Sequence, residues 1–141
     1  MSIRESILAN IVTTLSAVNG ISYVTREPFK FEELSSAQFP ACLIQTTGET
    51  RNDITMASGG TKRQAELGVQ VVGFVKGASI DTARNSLIDL IETSLDADRT
   101  RGGYAIRTQV LDVETDAGSI LPYGGVIVSI EIIYTFTSGS P

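Results

Sequence analysis

The sequence predicts an α+β fold: a mainly antiparallel β-sheet with two α-helices packed on one face, in the order α-β-β-β-α-β-β. Three observations carry that expectation. Two stretches place apolar residues three and four apart, the helical period, while five others are β-rich or alternate with period two. Runs of consecutive strands, first three and then two, call for hairpins rather than a doubly wound sheet. The 141 residues show no internal repeat, low-complexity tract or linker, and they match the size of one domain, 1–141.

Each element has its own signal. Ser2 and Glu5 have the spacing of a capping box, and Ile3, Ile7, Ile11, Leu15 and Val18 then fall on one stripe. A helix over 3–18 follows, stopped by Asn19-Gly20. "ISYVTRE" (21–27) reads as a short strand. "PFKFEELSSAQFP" (28–40) has a proline at each end and no period, so it is an extended loop or arm. "ACLIQTTGE" (41–49) reads as a buried strand. In "RQAELGVQVVGFVKG" (63–77), Ala65, Leu67, Val69, Val71 and Val75 share a face, while Val72 and Phe74 imply cover on both faces at the far end. "DTARNSLIDLIETSL" (81–95) is the second helix, capped by Asp81, with Ala83, Leu87, Leu90, Ile91 and Ser94 or Leu95 as its stripe. Strands follow at 104–116 and 125–136, the latter turning Val126, Val128, Ile130, Ile132, Tyr134 and Phe136 one way. The tail 137–141, "TSGSP", reads as frayed.

Composition narrows the function. Apolar residues make up 42% and charged ones 19%, too apolar for disorder and low enough in charge that partners are expected to cover some surface. A net charge of −5 argues against a dedicated nucleic-acid binder. Histidine is absent, which removes the usual acid/base and the commonest metal ligand. Cys42, between Ala41 and Leu43, reads as a small core residue. The N-terminus lacks the apolar run of a signal peptide, and no stretch approaches the roughly 18 apolar residues of a membrane span.

Two segments invite a site. "LDADRTRGGY" (95–104) resembles a ligand loop, but an EF-hand reading started at Asp96 puts Arg101 where glycine belongs and Arg107 where the bidentate glutamate belongs. A phosphate cradle fails too, because Gly102-Gly103 lead into a strand rather than a helix. What remains is a turn carrying Asp96, Asp98, Arg99 and Arg101, either a solvated connector or a subunit contact. The segment 50–62, an extended loop between two strands, mixes Arg51, Asn52, Asp53, Lys62 and Arg63 with Ile54 and Met56. It reads either as mobile surface or as a hydrophobically tipped hairpin that docks on a neighbour. The carboxylates Asp112, Glu114 and Asp116, two apart, are expected on a solvent face. Catalysis has no candidate residues, and no cofactor or metal site is expected.

Taken together, the amphipathic helix ending in "NGIS", the stretches "FPACLIQTTGE" and "ELGVQVVGFVKG", the helix-to-turn "ARNSLIDLIETSLDADRTRGGYA" and the closing "GGVIVSIEIIYTF" resemble tail terminator (tail completion) proteins of tailed bacteriophages. The likeness spans roughly residues 3 to 136, and Arg101 stands where many members carry an apolar residue. The resemblance implies a structural virion protein in the tail or neck. Subunits would join as a homo-oligomer, a hexameric ring on the head-proximal end of the tail tube, assembled in the host cytoplasm. Its partners would be the tail tube protein and a head-tail connector or stopper protein, with DNA only in transit and no membrane. Such a protein can also belong to a prophage or a gene transfer agent. An acidic channel wall would let DNA pass untrapped, whereas a lumen lined by Arg51, Lys62, Arg99 and Arg101 would count against that. The alternatives are a tube subunit or stopper, or a small-ligand-binding α+β domain.

Overall fold

Nine elements order the chain in the computed structural model, which describes residues 2–57, 60–118 and 120–141, and only the backbone at 55–57 and 60. Helix α1 spans Ile3–Ser16 and helix α2 spans Ile80–Asp96. The strands are β1 (Tyr23–Thr25), β2 (Ala41–Ala57), β3 (Gly60–Lys76), β4 (Arg107–Thr115) and β5 (Tyr123–Thr137), with two single-turn 3-10 helices before β2. The predicted fold class and element order both hold.

Helix α1 forms because its stripe has a core to meet: Ile7, Leu8, Ile11 and Leu15 are buried. Of the predicted capping box only half is made. The Ser2 hydroxyl accepts the Glu5 amide at 3.1 Å, while the Glu5 carboxylate takes a two-pronged bond from Arg26 at 2.5 and 3.1 Å. The helix ends at Ser16, two residues before its expected end. Helix α2 starts at Ile80, so Asp81 lies in its first turn rather than at its cap, and Ser79 holds the cap position without a side-chain bond. Its buried stripe is Ile80, Arg84, Leu87, Ile91 and Leu95. An arginine therefore sits where the predicted stripe had Ala83.

The sheet order is β1-β2-β3-β5-β4. Every neighbouring pair is antiparallel except β1 and β2, where Tyr23–Thr25 run parallel to Ala41–Leu43. No tight hairpin can join parallel neighbours, and the segment 26–40 serves as the crossover between them. The inner face carries Ala65, Leu67, Val69, Val71 and Val75 from β3, and the even-numbered residues Val126 to Phe136 from β5, all buried. Both helices close over that one face in a single core. Each fully buried Val, Leu or Ile there contributes about 2 kcal/mol of transfer free energy. Cys42 is fully buried as expected, and burial pushes its thiol up to about 12.

Two glycines let α2 seat on the sheet. A Cβ on Gly73 would stand 2.6 Å from Leu87 Cδ2, and one on Gly124 would stand 2.6 Å from Ile80 Cγ2. The tail does not fray. Ser138 donates its amide to Thr61 at 2.8 Å, and the Pro141 carbonyl accepts the Ile3 amide at 3.3 Å. Among the described residues, no helix is long and apolar enough to cross a membrane.

Candidate functional site

The segment 50–62 is not a loop in its described part. Backbone pairing continues from Thr50↔Glu66 through Asp53↔Arg63 to Ala57↔Gly60, so β2 and β3 run as one long hairpin, interrupted by register shifts after Thr46 and Asp53. Strand β5 follows β3 out as far as Lys62↔Thr137, which makes the projection a three-stranded ribbon. Register assigns the faces. Arg51, Asp53 and Arg63 alternate onto the helix side, whereas Asn52 and Lys62 share the opposite face with Glu66 and Thr135. Arg51 lies over the Phe136 ring at 4.7 Å and Arg63 at 6.0 Å, and Arg63 Nε is 2.7 Å from Asp53 Oδ1. Ile54, at the register shift, is 48% exposed. Met56 pairs through its backbone with Thr61, and its side chain lies outside the description.

Where the ribbon leaves the helices, sequence reasoning missed a polar cluster. The Glu49 side chain is 6% exposed and accepts the Tyr134 hydroxyl at 2.5 Å; it also pairs with Arg51, and Arg4 Nη1 lies 3.8 Å away. Burial first, then Glu49, pushes the Tyr134 phenol up to about 12. Glu49 read as the last residue of a buried strand, with no signal that a tyrosine of β5 would reach it.

The connector after α2 divides its charges in an unexpected way. Asp96 and Arg99 are exposed and pair at 3.7 Å. Asp98 organises the turn: it accepts the Thr100 amide at 3.0 Å, the Thr100 hydroxyl at 2.6 Å and the Gly102 amide at 2.8 Å. Those bonds, the Thr100 hydroxyl foremost, hold its carboxyl below the ordinary value. Arg101 is not part of a surface cluster; its relative exposure is 0%. Its Nη2 donates to Leu95 O at 2.5 Å and to Asp98 O, so it closes off carbonyls at the end of α2. Its Nε and Nη1 have no protein partner, and burial pushes the guanidinium down against the pull of Asp98 and Asp96. The backbone takes a left-handed path through Arg101, Gly102 and Gly103, which costs the glycines little and the arginine more.

Asp112, Glu114 and Asp116 do not share one environment. Asp112 and Glu114 are exposed, but Asp116 lies past the end of β4 and accepts from Arg84 Nη1 at 2.6 Å and from the Gly125 amide at 2.9 Å. The expected solvent face thus loses its third member to a buried arginine.

The sheet's second face splits into two halves. At one end the crossover 28–39 covers it with Phe29, Phe31 and Phe39, packed against Phe74 and Tyr123. The other half carries Gln45, Thr50, Asn52, Gln64, Glu66, Gln70, Ser129, Glu131 and Thr135 around Ile133, and none of its described residues is buried. Both outer edges are open there. Strand β1 pairs only Ala41–Leu43 of β2, leaving its outer edge free from Ile44 on, and β4 forms the opposite edge.

No protein-family model matches the chain, and no curated protein matches it. Among solved structures, it aligns with a chain described as "Virion of native gene transfer agent (GTA) particle", with a TM-score of 0.43 and 12% identity over 96% of this chain and 92% of that one.

Proposed function

We propose that the chain is a structural virion subunit, a tail terminator that closes into a ring on the head-proximal end of a tail tube. In this reading it stops tube growth, offers the connector or stopper its upper surface, and catalyses nothing. The sheet carries the proposal. It has two unlike open edges, β2 beyond Leu43 and β4, and between them a bare polar face, while its apolar face is sealed by both helices. A closed ring needs two different patches on each subunit, and unlike edges supply them. The bare face would then be the channel wall. Glu66, Asp112, Glu114 and Glu131 stand on it against Lys62 and Arg107, so a DNA duplex meets more like charge than opposite charge. Arg51 faces the helix side and Arg101 lies in the core, so neither adds to that wall.

A tube subunit would share these edges but would stack without limit. Native mass spectrometry and negative-stain microscopy of the purified protein separate the two readings. Closed rings that stay single, and that arrest growth when added to elongating tail tubes, are the expected result. Long tubes from this protein alone would make it a tube subunit, and a monomer that leaves tube growth untouched would overturn the assembly reading.

A further inference from the structure

The segment Pro28–Phe39 holds three phenylalanines among polar and charged residues, and nothing in its pattern commits it to a strand or helix. Its backbone bonds are all its own. Glu33 donates to Lys30 O, Leu34 to Phe31 O, Gln38 to Ser35 O and Phe39 to Ser36 O, while the Ser35 amide donates to the Gln38 side chain. Among the described residues, no hydrogen bond or ion pair joins Pro28–Phe39 to the sheet. The contact is made by rings. Phe31 stacks on Phe74 with centroids 4.9 Å apart, Phe29 meets Phe74 at 5.7 Å, and Phe31 and Phe39 meet Tyr123 at 5.0 and 5.6 Å. All five rings are half-buried, so water already reaches this layer. Beside it, Val72, Phe74, Ile120 and Ile127 line a mainly apolar hollow of about 190 Å³, with Glu114 and Asp116 on its β4 side.

We propose that residues 28–39 form a strap that opens from the sheet by local unfolding, independently of the core, and uncovers an apolar strip on the sheet's second face. Opening breaks no rung of the sheet, because the ladder bonds of β1, β2, β3 and β5 are all made elsewhere. What holds the strap shut is a small set of aromatic pairs, and elements held this way open at free energies well below that of global unfolding. Once open, Phe74 and Tyr123 become continuous with the hollow, and one surface replaces two fragments. The strap is thus a cover whose position sets how much apolar area this end of the sheet presents. The inference stands on these contacts alone and does not rest on the assembly reading.

Native-state proteolysis tests it in the intact protein. Trypsin cleavage after Lys30 requires the strap to leave its seat, whereas cleavage after Arg84, buried in α2 against Asp116, requires the core to come apart. Below the unfolding transition, the Lys30 rate is expected to be nearly independent of urea while the Arg84 rate climbs steeply. Equal steep dependence at both sites overturns the proposal. Phe39→Ala removes only the strap's far ring contact and is expected to raise cleavage after Lys30 about fivefold. An unchanged Lys30 rate in that variant would mean that the strap does not open as a unit, and would also overturn the proposal.

Discussion

Arg84 of α2 and Asp116, just past the end of β4, meet at 2.6 Å with side chains only 9% and 13% exposed. The pair fastens the first turn of α2 to the segment that leaves β4, and the Gly125 amide completes the carboxylate's shell. Breaking one partner leaves the other charge buried without its counterpart. Asp116→Leu is therefore expected to lower Tm by roughly 5 °C, since Arg84 stays behind with only the exposed Asp81 at 3.3 Å as a partner. Arg84→Met combined with Asp116→Leu is expected to recover much of that loss. Thermal melts of the single and double variants check it, and an equal loss in both would remove the pair from the account.

Acid should undo the fold through a few carboxylates. Asp116 is pushed up by burial but pulled down further by the Gly125 amide and Arg84, leaving it below its ordinary value. Asp98 is held down by Thr100 and Gly102, and Glu5 by Arg26. A folded value below the unfolded one means stability that is complete above about pH 4 and lost as pH falls through the folded value. Melting temperature should thus be level from pH 8 to 5, where the chain has no histidine to titrate, and drop below about pH 4. Asp116→Asn should drop less steeply than the parent; parallel curves would assign the acid sensitivity elsewhere.

Arg101 invites a substitution that its surface-turn appearance would get wrong. Arg101→Ala opens a cavity and frees the carbonyls at the end of α2, and is expected to cost about 3 kcal/mol in urea denaturation. Arg101→Met, which fills the space, should cost clearly less. Arg101→Glu would set a carboxylate against the Leu95 and Asp98 carbonyls, so any charge-reversal test of assembly belongs to Arg99 alone. Arg99→Glu should leave the melt unchanged while weakening ring formation; unaltered rings would return that turn to a solvated connector.

The outer half of the hairpin can be removed as a test of docking. Deleting 52–61 spares every core residue of β2 and β3 from Ala41 to Ile44 and from Ala65 to Val75. A folded protein with a slightly lowered Tm and no ring or tube-end binding is expected. Loss of the circular dichroism signal, or undiminished assembly, would each contradict a role in docking.

Periodicity reveals a strand or helix only where one side is buried and the other wet. The inner residues of β3 and β5 and the stripe of α1 were legible for that reason. Beyond the helices the hairpin has polar residues on both faces, so alternation disappears although the backbone ladder continues, and 50–62 read as a loop. The tail read as frayed for the same reason, its anchors being amide-to-carbonyl bonds that leave no side-chain pattern. Arg84 and Arg101 were hidden by their type: arginine scores as solvated, and only the fold shows that one meets a carboxylate and the other a helix end. Strand β4 ends at Thr115, so the two-residue spacing that puts Asp112 and Glu114 on one face no longer governs Asp116, which is how it escapes the face expected for it.

Strand β5 has a consequence for the order in which the protein can be made. Of the five described strands it comes last in sequence, yet it lies between β3 and β4 and pairs with β3 along nearly the whole of both. While residues 123–137 are still within the ribosome, β3 holds a row of unpaired amides and carbonyls, and β4 has no partner. The hairpin and α2 must wait with apolar surface bare, in the state most open to pairing with another chain. Completion of this one strand converts a sticky half-sheet into a closed core, so synthesis and self-association compete until it emerges.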